Sequence, residues 1–322
     1  MSEAAALEAR AQRALARWAL GGLPTARLIN LSENATFRVD GAADGRPRAL
    51  RIHREGYHTR EAIASELAWA MALREAGIVP TPVPLPGVDG ALIQEAEGRF
   101  LVLFAWEPGA EPSIGDPLLG PFETLGAVTA RMHRHAGTWR RPEGFTRPTW
   151  DFETSLGETA PHWGRWRDGM GIDPGKADLF ARTVALIGDR LAAYGKAPDR
   201  FGLIHCDLRL ANLLIDESVV KVIDFDDCGF GWFMYDAATP VSFFEHEPQV
   251  RGLIDAWVRG YRSEAPLPDA EAVEIPTFVM LRRLLLVAWI GSHSETELAQ
   301  SMGVAYTEGT VGLCENYLAR FR

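Results

Sequence analysis

The chain has 322 residues, 47% hydrophobic and 24% charged, the make-up of an ordinary globular protein long enough for one large core or two lobes. Its formal net charge of −10 argues against a general nucleic-acid binder, because phosphate backbones call for clustered cations. Cys206, Cys228 and Cys314 lack CxxC or zinc spacing and read as reduced thiols in a cytoplasmic protein, and the longest apolar run, Leu284 to Ile290, is too short to cross a bilayer.

At the N-terminus, Leu7, Ala11, Ala14, Leu15 and Trp18 recur at helical spacing, which predicts an amphipathic helix docked on the body and ending at Gly21-Gly22. Glu3, Glu8, Arg10, Arg13 and Arg17 interrupt any apolar stretch, so this is no signal peptide. Residues 28–40 read as two short strands around Ser32-Glu33-Asn34, and Ala49 to His53 alternates as a strand. Glu61 to Ala76 is a helix with Ile63, Leu67, Ala70 and Met71 on one stripe and Gly77 as its stop. Four prolines between Pro80 and Pro86 impose an extended segment. Ala91 to Gln94 and Phe100 to Phe104 are strands joined by a turn near Gly98.

From Trp106-Glu107-Pro108-Gly109 onward the pattern turns helical. Phe122 to His135 presents Leu125, Val128, Thr129 and Met132 on one face, and Lys176 to Tyr194 is also helical. Residues 138–172, rich in Trp, Pro and Gly, read as irregular. Leu213 to Ile215 and Val219 to Ile223 are short strands about a turn at Asp216-Glu217-Ser218, and residues 249–262, 270–290 and 295–321 are further helices. The expected fold is α+β and bilobal. Residues 1–106 form a small antiparallel-sheet lobe, residues 107–322 form a larger, mostly helical lobe, and a hinge near residue 106 is where a nucleotide is expected.

The chemistry concentrates in His205-Cys206-Asp207-Leu208-Arg209-Leu210-Ala211-Asn212, followed by Ile223-Asp224-Phe225. Phosphoryl transfer leaves a protein little covalent work; it must align a hydroxyl with the terminal phosphate and neutralise charge. Asp207 can accept the hydroxyl proton, while Asn212 and Asp224 offer the hard oxygens that Mg²⁺ takes. Taken singly, each of these residues has a bland reading as a turn or strand end; taken together, around two apolar strands, they specify a site. Arg209 either stabilises phosphate charge or forms a surface ion pair. His205 orients the loop backbone. Asp236 either anchors the loop from beneath or caps a helix. Asp226 and Asp227 add negative charge beside the metal ligands. A catalytic role for the Cys206 thiol is not needed.

These motifs resemble the aminoglycoside phosphotransferase/choline kinase superfamily, which has the protein-kinase-like fold and carries His-x-Asp-x-x-x-x-Asn and Ile-Asp-Phe-x-Asp. Within it the chain is similar to the bacterial homoserine-kinase-type II or stress-response-kinase-like branch. The resemblance implies ATP, Mg²⁺ and a hydroxyl acceptor. The family's strand lysine, paired to a helix glutamate, is missing here: Lys176, Lys196 and Lys221 all lie beyond the hinge. In Ala49-Leu50-Arg51, alternation places Ala49 and Arg51 on one strand face, where adenine and phosphate are expected. Arg51 is the substitute this pattern offers, with Glu66 as its helix partner; the alternative is a plain surface arginine. The phosphate-covering loop is Ser32-Glu33-Asn34 in place of glycines, with Ser32 and Asn34 as phosphate-contacting residues, and no Walker A sequence is present.

Acceptor-pocket walls are expected from residues 145–172 and the C-terminal helices. Trp150, Trp163 and Trp166 read as core more than as substrate platforms. His293 is the candidate to face the cleft among Trp289, Ser292, Glu295 and Glu297. Three functions compete. One is a kinase of a small-molecule hydroxyl (amino alcohol, hydroxy amino acid or aminoglycoside-like). Another is a protein Ser/Thr kinase of the stress-response type, and the third is a nucleotide-binding pseudokinase scaffold. No nucleic-acid or membrane partner is expected.

Overall fold

Phe37 and Val39 alternate along one strand, Leu50 and Ile52 along another and Leu101 and Leu103 along a third, so each strand has an apolar face that must be covered. The cover is the N-terminal helix. A computed structural model describes residues 3–31 and 34–321 and divides into two units, Met1–Gly109 with Arg141–Arg147 and Ala110–Arg140 with Pro148–Arg322.

The first unit contains α1 (Glu3–Ala14), β1 (Thr25–Leu31), β2 (Ala35–Asp40), β3 (Arg48–Ile52), α2 (Arg60–Glu75), β4 (Pro84–Leu85), β5 (Gln94–Ala96) and β6 (Arg99–Ala105). Its sheet is antiparallel in the order β1-β2-β3-β6-β4, with β5 hairpinned onto β6. Ala11, Ala14, Leu15 and Trp18 pack on the Phe37, Val39, Leu50, Ile52, Leu101 and Leu103 face. The opposite face carries Ala49, Val102 and Phe104 against Ile63 and Leu67 of α2. The expected alternation of β3 therefore holds. Residues 141–147 return to this unit: Arg147 donates to the Ala62 carbonyl (3.0 Å), and the Thr146 amide donates to Ser65 Oγ (2.9 Å).

Helix α2 starts at Thr59, whose hydroxyl accepts the Ala62 amide (3.2 Å), and stops at Gly77 with φ +66°. Its buried stripe is Ile63, Glu66, Leu67, Ala70 and Leu73, whereas Met71 faces solvent. Leu73 takes the inward place, because Met71 lies about 100° round the helix from Ala70. Two of the four prolines frame a short strand within the segment expected to be merely extended. Pro84–Leu85 pairs with the edge of the sheet, where a missing N–H costs nothing. The hairpin strand falls at Gln94–Ala96 rather than 91–94, about a Glu97-Gly98 turn with both φ angles positive.

The second unit contains α3 (Leu119–Thr138), β7 (Thr149–Trp150), α4 (Phe152–Leu156), α5 (Pro174–Tyr194), β8 (Phe201–Ile204), β9 (Leu213–Asp216), β10 (Val219–Val222), β11 (Gly229–Trp232), α6 (Tyr235–Ala238), α7 (Val250–Glu264), α8 (Asp269–Ala272), α9 (Ile275–Ser292) and α10 (Glu297–Arg320). β9 and β10 form the expected hairpin, and β7-β11-β8 form a separate small sheet. The helix expected over 270–290 is broken before α9, whose first turn holds Pro276. Helix α10 bends at Gly303 (φ +48°). Among the described residues no helix is long and apolar enough to cross a membrane.

Helices α3 and α7 touch backbone to backbone. A Cβ on Gly126 would lie 2.0 Å from the Trp257 carbonyl oxygen, and one on Gly260 would lie 1.8 Å from that of Glu123. Neither obstacle is a side chain that can swing aside. Gly260→Ala is therefore expected to destabilise the protein by about 2–3 kcal/mol or more, as overpacked cores do. The midpoint of thermal unfolding reports it, and an unchanged midpoint would show that these helices separate without cost.

Candidate active site

Strand β8 delivers the chain into the loop 205–212, and four contacts set that loop's shape. The His205 and Cys206 amides donate to the two oxygens of Asp236 (3.0 and 2.8 Å), a side chain that is 0% exposed. The Asp207 amide donates to His205 Nδ1 (3.2 Å), and the Leu208 amide to Thr239 Oγ1 (3.0 Å). Cys206 is thereby held at φ +70°, a left-handed conformation that costs a non-glycine residue about 1–2 kcal/mol. Of the two readings of Asp236, the structure has the anchor. The residue at the cap of α6 is Met234, and it makes no side-chain capping bond.

Asn212 is tied through its backbone to the residue before Asp224. The Ile223 amide donates to the Asn212 carbonyl (2.9 Å), so the residue preceding Asp224 is fastened to the loop. Asp224 is half-buried at φ +61°, a second strained non-glycine residue in this small region. Asn212 Nδ2 donates to both the carbonyl (2.8 Å) and Oδ2 (2.7 Å) of Asp207, which turns its amide oxygen, not its nitrogen, toward other use. An amide oxygen and a carboxylate are hard ligands of the kind Mg²⁺ takes, so this pair fits the ion. Phe225 lies beneath, its ring 4.6 Å from that of His205.

The Asp207 carboxylate is held by three side chains. Besides Asn212 it receives Arg209 Nε (3.3 Å) on Oδ2 and the guanidinium of Arg282 on Oδ1. Burial works against its ionised form, but Arg282, and after it Arg209, outweigh burial and hold the carboxyl below the usual carboxylate range. Asp207 is thus an anion at neutral pH. Arg209 faces the Asp207 carboxylate, an ion pair inside the site rather than on the open surface. Arg282 went unnoticed in the sequence. Its signal was there: a pair of charges, Arg282-Arg283, inside an otherwise apolar helix, where each must find a partner.

In the first unit, Arg51 donates to Glu66 Oε1 (2.6 Å) with both side chains buried, and its guanidinium lies 5.2 Å from the Phe104 ring centre. Ala49 shares that face of β3. Asn34 is buried and its Oδ1 accepts the Arg54 amide (3.2 Å), which joins the start of β2 to the end of β3. Ser32 lies outside the described residues. Trp150, Trp163 and Trp166 are core residues, as expected. His293 is buried at the end of α9, stacked on Trp289 at 5.0 Å.

The chain is similar to several known proteins. Residues 25–272 match the model of the phosphotransferase enzyme family. A solved microcompartment-associated aminopropanol kinase is 44% identical, with a TM-score of 0.88 over 97% of this chain and 98% of that one. A homoserine kinase of Acidiphilium cryptum is 30% identical over 253 residues, 74% of this chain and 75% of its own length. The amicoumacin kinase of Bacillus subtilis is 27% identical over 270 residues, 80% and 77% of the two chains. The chain belongs to the phosphotransferase enzyme family. It is an ATP- and Mg²⁺-dependent phosphotransferase acting on a hydroxyl of a small molecule, with the bilobal kinase-like fold.

In Asp236→Asn, one oxygen becomes an NH₂ group facing a backbone N–H in a dry interior. The expected cost is about 2–3 kcal/mol, the penalty of a buried donor left without an acceptor, together with a fall in kcat as the loop loses its anchor. Urea denaturation measures the first and steady-state kinetics the second. A variant with wild-type stability and turnover would mean that the loop keeps its shape without the carboxylate.

Proposed function

We propose that the acceptor is a small amino alcohol or hydroxy amino acid, and that Asp207 is the group receiving its hydroxyl proton. The observation that carries this reading is the ionised Asp207 in direct contact with Asn212, itself fastened to the segment that holds Asp224. The proton leaves the acceptor oxygen for Asp207 as that oxygen bonds the γ-phosphorus and the bond to the bridging oxygen of ADP breaks. Asn212 and Asp224 hold Mg²⁺, whose contribution is to neutralise phosphate charge. Arg209 stabilises charge on the transferring group. Arg51, braced by Glu66, takes the place of a phosphate-binding lysine; Ala49 lies against the adenine; Asn34 shapes the segment over the phosphates through its bond to the Arg54 amide. In this reading residues 1–106 are the nucleotide lobe and residues 107–322 the catalytic and acceptor lobe.

The acceptor class is supported by two relatives whose named substrates, aminopropanol and homoserine, each pair a hydroxyl with an amine. Neither is a protein kinase or a scaffold, and an inert scaffold has no use for an ionised Asp207. A cytoplasmic setting belongs to the same proposal, supported by three buried cysteines, none of them in a disulfide.

Release of ADP is expected with 1-aminopropan-2-ol, ethanolamine or homoserine, at a kcat/KM well above that for propan-2-ol, which lacks the amine. Equal rates with and without the amine would refute the acceptor class. Asp207→Asn is expected to lower kcat about 100-fold or more while ATP still binds, the scale of a lost general base. Near-normal turnover in that variant removes Asp207 from the role. Arg51→Ala is expected to raise KM for ATP about tenfold or more, as loss of a charged hydrogen bond does, with Arg51→Lys in between. An unchanged KM would return Arg51 to a structural part.

A further inference from the structure

Helix α9 buries two successive arginines in an apolar stretch; Arg282 is 2% exposed and Arg283 1%. A guanidinium survives there only with its donors engaged. Arg283 has a closed set of partners: Glu245 Oε2 (2.6 Å), Thr310 Oγ1 (2.8 Å) and the Tyr306 carbonyl (2.7 Å). The second oxygen of Glu245 is filled by the Tyr306 hydroxyl (3.0 Å). That network braces α9 against α10 and ends there. Arg282 is different. It donates to Ser242 Oγ (3.2 Å) and the Tyr235 hydroxyl (3.3 Å), neutral struts from two neighbouring segments, with the Trp163 ring centre 5.2 Å from its guanidinium. Its third donor ends on Asp207 Oδ1.

We propose that Arg282 is a positioning residue for the reaction, fixing the plane of the Asp207 carboxylate so that Oδ1 receives the acceptor hydroxyl. A carboxylate offers about four lone-pair sites, two on each oxygen. Oδ2 is used by Asn212 Nδ2 (2.7 Å) and Arg209 Nε (3.3 Å), whereas Oδ1 takes Arg282 alone. The lone pair open to a hydroxyl is the second one on Oδ1, beside the guanidinium. A planar fork held by two struts fixes both the position and the tilt of the oxygen it grips; an ammonium at the same place supplies charge without tilt. This inference rests on the reading of Asp207 as the proton acceptor.

The test is kinetic, on the full chain. Arg282→Ala is expected to lower kcat about 100-fold, the scale of a misplaced reacting group, with KM for ATP within about twofold of wild type. Added guanidinium chloride at millimolar concentration restores part of that kcat, does nothing for Asp207→Asn, and Arg282→Lys falls between. Wild-type kcat in Arg282→Ala overturns the inference. So does a loss that follows only the unfolded fraction and ignores guanidinium. In both cases the assignment of Asp207 stands, because only an active Asp207→Asn removes that. Should Arg282→Ala fail to fold, Tyr235→Phe and Ser242→Ala each remove one strut. Each is expected to lower kcat about threefold to tenfold, the rate equivalent of one neutral hydrogen bond, and wild-type kcat in both overturns the inference as well.

Discussion

The Asp236 carboxylate, sealed from water, is the contact on which the active loop depends. It gathers two consecutive backbone amides and the His133 ring (3.1 Å from Nε2) into one cluster. A carboxylate only accepts, so His133 presents an N–H at Nε2, while its Nδ1 lies 3.2 Å from the Tyr261 hydroxyl. Burial, reinforced by the negative charge of Asp236, pushes the Tyr261 phenol up and keeps it protonated. His133 lies on α3 and Tyr261 on α7, the two helices brought into backbone contact by Gly126 and Gly260. Two missing side chains thus set how closely a pair of helices approach, and that approach sets where the carboxylate beneath the loop sits. The left-handed Cys206 is what the loop tolerates in order to aim Asp207.

Much of this was legible in the chain because it is local. Asp207, Asn212 and Asp224 lie within eighteen positions, and the hairpin between them follows from apolar alternation about a short turn. The Arg51–Glu66 pair was legible from two periodicities, strand alternation and helical stripe, pointing at one place. Arg282 was not, because it lies 75 positions from Asp207 and nothing local marks which charge answers a buried arginine. Strands β8 and β11 escaped for another reason. Gly202, Gly229 and Gly231 dilute the strand signal, yet the small sheet they form is what launches and receives the loop. Asn34 reads as a phosphate-contacting residue of a covering loop; in the fold its side chain is buried and its Oδ1 accepts from the Arg54 amide.

An arginine at position 51 suits its surroundings. Both partners of the pair are buried, and a lone charge left there would cost several kcal/mol. Arginine is less strongly hydrated than lysine, carries more donors, and lays a flat face near the Phe104 ring.

The same preference for arginine at Asp207 has a consequence for its proposed part as the proton acceptor. Proton transfer is most efficient when the acceptor's pKa lies near the working pH, yet Arg282 and Arg209 hold Asp207 below the usual carboxylate range. As a strong base, Asp207 is poorly tuned. In phosphoryl transfer that weakness matters little, because in a loose transition state the incoming oxygen has formed little of its new bond and has little need to shed its proton early. What the step requires is an oxygen that is always ionised, always in one place, and able to orient a hydroxyl toward phosphorus. Two guanidiniums and an amide supply that at the expense of basicity. The residues around Asp207 therefore favour alignment over proton affinity, and the chemistry is one in which alignment contributes more.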